Sequence, residues 1–135
     1  MLLSNFHGNN PASFLAEYAV VVPEIFAPLV DRYGYALNAD ETWNYEYRSE
    51  RLSLFVELDR TVVDVLFVPA PVPSIYRRHR YMGGLIQRQN PGFTSKRDRP
   101  PKLHEFRTFV QFAFDEMMEN LEPLVGGDLS MWPDD

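Results

Sequence analysis

Three arginines in four positions, Arg77, Arg78 and Arg80, sit between Tyr76 and Tyr81, and Lys96, Arg97 and Arg99 follow within twenty residues. Cations interleaved with aromatic rings are what a phosphate or nucleic-acid surface presents, the guanidinium gripping oxygen pairs and the ring stacking on a base. The window 75–107 holds nine of the 13 basic residues and two of the 19 acidic ones, a local charge of +7. The remaining four basic and 17 acidic residues give −13, within a chain total of −6. An acidic body repels a polyanion brought to the basic stretch. The favoured reading is therefore intramolecular, the cationic segment lying over the acidic remainder. An external anionic partner is the alternative, touching Arg77, Arg78, Arg80, Lys96, Arg97 and Arg99. The arginine bias holds throughout, with eleven Arg against two Lys, so it does not by itself mark a site.

A second group is acidic. Glu46, Glu57 and Asp64 are expected on the polar face of one sheet. A solvated face with Arg48 as counter-ion is the favoured reading, and a basic partner or a cation is the sharper one. Catalytic signals are missing. His7, His79 and His104 lack a metal-ligand spacing, so no metal is expected. Gly83-Gly84 and "VGGD" fit neither a Walker loop nor a dinucleotide fingerprint, so no cofactor is expected. Ser49, Ser53, Ser74 and Ser95 lack a nucleophile-elbow context. The chain has no cysteine, which excludes disulfides, thiolate metal sites and a cysteine nucleophile.

The elements that must position these residues read as helices, then an antiparallel meander, then helices. Pro11 opens a first helix with Phe14, Leu15, Tyr18, Ala19 and Val22 at helical spacing, interrupted at Pro23. Ile25, Phe26, Leu29, Val30 and Tyr33 continue it, with a bend at Pro28, and Gly34 ends it. "YALN" reads as a short strand. From Trp43 to Val68 the period is two. With Ser49-Glu50 and Asp59-Arg60 as two-residue turns, one face collects Trp43, Tyr45, Tyr47, Leu52, Leu54, Val56, Leu58, Val63, Val65 and Phe67. The other collects Asn44, Glu46, Arg48, Ser53, Glu57 and Asp64, with Phe55, Val62 and Leu66 among them. If those three apolar residues are exposed together, that face is a homodimer surface.

After "PAPVPS", Ser74 caps a short helix with Ile75, His79 and Met82 on one side, ended by Gly83-Gly84. From Leu85 to Pro101 the chain reads as loop, so about 69–102 is a basic irregular segment. Pro100-Pro101 open a last helix whose stripe is Leu103, Phe106, Val110, Ala113, Phe114, Met117, Leu121 and Leu124, widened by Phe109 and Phe112 and ended by Gly126-Gly127. Met131 and Trp132 pack back on the body. The expected fold is one α+β domain spanning 1–135: a three- or four-stranded antiparallel meander with N- and C-terminal helices on one face. The N-terminal stretch reads as neither a signal peptide nor a spanning helix, so the expected location is cytoplasmic, away from membrane.

The pieces "LVDRYGYAL", "YEYRSERLSLFVELD", "VVDVLFV" and "LEPLVGGDLSMW" together resemble a type of small bacterial uncharacterised α+β protein. Some similar small acidic proteins are immunity proteins that neutralise a toxin. The resemblance implies a non-enzymatic protein-binding module with another protein as partner. It carries over no functional residue, because its motifs are a helix stop and core strands, and the basic window lies outside it. The alternative function is a nucleic-acid or phosphate binder acting through 76–102. A carboxylate enzyme is a third reading, which needs a deep polar pocket at Glu57 or Asp64.

Overall fold

The computed structural model describes residues 11–41, 44–70 and 79–133. Helix α1 (Pro11–Ile25) and the short α2 (Ala27–Asp31) precede strands β1 (Ala36–Glu41), β2 (Asn44–Arg48), β3 (Leu52–Asp59), β4 (Val62–Pro69) and β5 (Arg80–Tyr81). Helix α3 (Met82–Gln89), a 3-10 turn (Leu103–Glu105) and α4 (Phe106–Val125) follow. The strands form one antiparallel sheet in chain order, β1-β2-β3-β4-β5. The sheet thus has five strands where three or four were expected. The fifth is two residues long, too short to show a period.

One face of the sheet seals against the helices because both partners are apolar there. Phe14, Tyr18 and Val22 of α1, Leu29 of α2, Met82 and Ile86 of α3, and Phe106, Val110, Ala113, Met117, Leu121 and Leu124 of α4 join a single core. From the sheet it takes Tyr47, Leu52, Leu54, Val56, Val63, Val65 and Phe67. Tyr45 and Leu58 pack on its margin, as do Met131 and Trp132 from the tail. Trp43 lies outside the described residues.

Both hairpins turn one residue later than expected. Tyr47 pairs with Leu54 and Val56 with Val65, so the loops are Glu50-Arg51 and Arg60-Thr61. Each strand pair is therefore shifted by two residues, which leaves every side chain on its expected face. Ser49 sets the first turn: its hydroxyl lies 3.0 Å from the Leu52 carbonyl and 3.2 Å from the Leu52 N–H. Arg60 supplies the left-handed residue of the second, at φ 61°.

Pro23 does not end α1. The carbonyl it cannot reach, Ala19 O, faces the Tyr45 hydroxyl at 3.4 Å instead. Phe26 interrupts the helix, and Pro28 falls in the first turn of α2, where its missing N–H is harmless. Gly34 at φ 76° closes α2, with Tyr35 N–H bonding back to Leu29 O at 2.9 Å. The stretch Ala12–Asp31 is long and apolar enough by composition to cross a membrane, but in this fold its Phe14–Tyr18–Val22 side is core. Val30, expected on the buried side, is exposed.

The α1 hydroxyl of Tyr18 bridges a registered strand pair: it donates to Val56 O at 2.6 Å and accepts from Tyr45 N–H at 3.1 Å. It fixes α1 to β2 and β3 at once.

Gly83-Gly84 lies inside the first turn of α3 and does not terminate a helix. Met82, Leu85 and Ile86 anchor it, so the segment 69–102 contains a strand and a packed helix and is not irregular throughout. The cap expected at Ser74 and the contact expected at Ile75 lie outside the described residues. α4 follows its expected stripe to Val125, with a kink at Leu121 ahead of Pro123.

Candidate functional site

The acidic trio divides. Glu46 stands opposite Phe55 and is 7% exposed. Its carboxylate takes Arg48 Nε at 2.9 Å, Arg48 Nη2 at 3.2 Å and the Ser53 hydroxyl at 3.0 Å. It is thus a neutralised, buried acceptor within the outer face. Glu57 and Asp64 stand directly opposite each other across β3 and β4. Among the described residues neither belongs to an ion pair.

The environment of this pair disfavours charge. Partial burial pushes the Glu57 carboxyl above its ordinary range, and the facing Asp64 adds to the rise. Burial likewise raises Asp64, offset in part by the Val65 N–H on Oδ1 at 2.9 Å and by the field of Arg97. Asp59 repels both. Tyr81, beside Leu66 on β5, brings its hydroxyl to 3.5 Å from Glu57 Oε1. Its own ionisation is raised, by burial first and then by Glu57 and Asp64. His79 sets its ring edge-on to Tyr81 at 6.1 Å. Tyr81 thus belongs to the acidic end of the outer face, whereas the sequence placed it with the arginines.

The joint exposure on which a homodimer surface at that face was conditioned is not found. Phe55 and Leu66 are each 5% exposed and form a small cluster with buried Val68, leaving only Val62 open.

Among the described residues of the basic segment, Lys96, Arg97, Arg99 and Arg107 make contacts within the chain. Glu116, 5% exposed on α4, accepts Lys96 N–H at 2.8 Å and Arg97 Nε at 3.2 Å, with the Ser95 hydroxyl 3.0 Å from both oxygens. Arg97 Nη1 also donates to Val63 O at 3.1 Å. The stretch "TSKRDRPP" is a mostly exposed loop, pinned to α4 and β4 through the half-buried Ser95 and Arg97. Arg99 pairs with Glu105 through two bonds of 2.8 Å and covers the Phe109 ring at 5.2 Å. Arg107 reaches back to Glu24 on α1 at 2.9 Å. Lys96 Nζ lies 5.4 Å over Phe112. Arg80 stands opposite Phe67 on the sheet border. Arg77 and Arg78 lie outside the described residues. Glu116 was the residue the sequence did not reveal. Its one signal is a place three residues after Ala113 and next to Met117, on the edge of the buried stripe.

An open hollow beside α4 is lined by Lys96, Asp98, Arg99, His104, Glu105, Thr108, Phe109 and Phe112. A second lies between Tyr35, Arg51 and Gly127, and a small apolar one between Val62, Arg97 and Phe106. None of these three is lined by Glu57 or Asp64. Among the described residues no group of three or more His, Asp or Glu side chains is arranged to hold a metal ion. No family model, curated protein or solved structure matches the chain.

Proposed function

We propose that the protein is a non-enzymatic protein-binding module, immunity-like in acting by covering a partner, and that the acidic end of the outer sheet face meets a basic surface. The observation that carries this reading is the Glu57–Asp64 pair. Two carboxyls held face to face, partly desolvated and outside every ion pair among the described residues, gain more from an incoming cation than isolated surface acids do. Arg97, whose field reaches Asp64, is itself held by Glu116. A net charge of −6 adds steering toward a basic partner.

The test is affinity capture from the native host with wild type and the Glu57→Gln/Asp64→Asn double variant, followed by direct titration of the captured protein. The reading requires a basic partner whose affinity falls in the double variant and with added salt. Equal affinity for both forms defeats it.

A second reading has its own observation. In the hollow beside α4, Lys96 lies over the Phe112 ring and Arg99, already paired with Glu105, over the Phe109 ring, so Lys96 is the cation left to take a phosphate there. A fluorescent single-stranded oligonucleotide titrated at low and moderate salt decides it, and no binding at low salt ends it.

A further inference from the structure

We infer that Arg97 and Asp64 act as gatekeepers on β4: they occupy backbone groups along its open border and so keep further strands from adding there. β4 runs from Val62 to Pro69, yet β5 pairs only with Leu66 and Phe67. Between the hairpin tip and Leu66, among the described residues, β4 has no strand neighbour other than β3. The backbone groups of an antiparallel strand alternate between its two sides. Two groups on the side away from β3 are held by side chains instead of by a strand. Val63 O accepts Arg97 Nη1 at 3.1 Å, and Val65 N–H donates to Asp64 Oδ1 at 2.9 Å. One acceptor and one donor, two residues apart, are the groups an added strand would bond.

The stretch they guard is one that needs guarding. "VVDVLF", residues 62–67, is rich in β-branched residues, has no proline or glycine, and carries one charge, Asp64. Short runs of that composition recruit other strands where their border is left bare. Asp64 is thus both the one charge of the run and the acceptor that closes its N–H. Arg97 comes from outside the run, and its position is fixed. Its Nε bonds Glu116 Oε1 at 3.2 Å in a pair that is largely buried, and the same carboxylate holds the Ser95 hydroxyl and the Lys96 N–H. The guanidinium therefore meets Val63 O from a loop anchored on α4. The inference uses Asp64 through its bond to the strand and not through its charge, so it stands apart from the acidic-face reading.

Sedimentation velocity and thioflavin fluorescence on the intact chain, from micromolar to millimolar concentration, test it. Wild type is expected to keep one mass throughout, with no thioflavin signal. Arg97→Met/Glu116→Leu keeps the site filled and strands no charge, but it uncovers Val63 O. It is expected to grow heavier with concentration and to bind thioflavin. Asp64→Ala and Asp64→Asn remove the same charge, yet only asparagine keeps an oxygen for the Val65 N–H. Asp64→Ala is expected to associate and Asp64→Asn to behave as wild type. Tyr18→Phe is weakened away from this border and is expected to keep the wild-type mass, which separates loss of the shield from loss of stability. In the associated species the exchange-protected amides are expected to include 62–67. A double variant that behaves as wild type, equal behaviour of Asp64→Ala and Asp64→Asn, association of Tyr18→Phe to the same extent, or a protected core that leaves out 62–67 overturns the proposal.

Discussion

Arg97 and Glu116 form an ion pair at 3.2 Å in which both side chains are largely buried, 15% and 6% exposed. The same carboxylate holds Ser95 and the Lys96 N–H, so one acid anchors a whole loop. Removing it strands a cation beside Val63 O. Glu116→Ala is expected to lower stability by about 3 kcal/mol, within the range for breaking a buried pair. The double change Arg97→Met/Glu116→Leu is expected to cost less than Glu116→Ala alone. Urea unfolding of the three forms checks both statements, and a loss below about 0.5 kcal/mol for Glu116→Ala would show that the clamp is idle.

The Tyr18 hydroxyl serves two strands at a single point. Tyr18→Phe keeps the packing against Tyr45, whose ring it stacks on at 5.0 Å, but leaves Val56 O and Tyr45 N–H without their partner. The expected loss is about 2 kcal/mol. Backbone amide exchange should quicken at Tyr45 before it does in β4. Uniform exchange across the sheet would argue against a local pin.

Glycines in different settings are expected to respond with opposite sign. Gly34→Ala forces a side chain into the left-handed region and should destabilise by about 1 kcal/mol, although nothing stands within 4 Å of the added carbon. Gly83→Ala and Gly84→Ala fill open space in a helical turn and should stabilise by about 0.5 kcal/mol each. Destabilisation by both α3 changes would restore the reading of Gly83-Gly84 as a helix stop.

Glu57 and Asp64 hold protons more tightly in the folded chain than in an unfolded one. Folding therefore takes up protons at these sites, and their effect is to lower stability as pH rises from the ordinary carboxylate range through their raised folded values. Glu24, Glu105 and Asp128 are displaced the other way. The Arg107 bond lowers Glu24. The Arg99 bonds and the Lys102 N–H hold Glu105 down to about 2, and Ser130 lowers Asp128. The stability these three contribute is present above their unfolded values and fades as pH falls below them. Together the five carboxyls place the optimum near the ordinary carboxylate range, about pH 4 to 5. Thermal midpoints should be higher at pH 5 than at pH 8, and the gap should narrow in Asp64→Asn. An unchanged gap would remove Asp64 from the account. Asp64→Asn is thus expected to raise neutral-pH stability while weakening capture of a basic partner.

The faces of the sheet were legible because alternation belongs to the residues themselves. Tyr47, Leu54 and Val65 reach the core whichever of two registers the hairpins adopt. The registers were not legible, because neither loop carries the glycine or asparagine that marks a tight turn. Ser49 folds its hydroxyl back on Leu52, and an arginine takes the positive φ at position 60. The error reached the site. The expected register set Glu57 opposite Val62, and only the shifted one brings it opposite Asp64. Gly83-Gly84 was misread because two glycines resemble a stop, whereas Met82, Leu85 and Ile86 supply enough burial to carry the helix across them. Glu116 stayed hidden because an acid on an amphipathic helix normally faces water. The clustering of cations was plain from composition, but which of them were already matched depended on tertiary contacts.

The brevity of β5 has a consequence for assembly. A meander whose two borders were equally open would add copies at either end and grow without limit, as fibres do. Here Tyr81 passes straight into α3, and a bulge interrupts β1 between Asn38 and Glu41, so among the described residues neither border presents a long regular template.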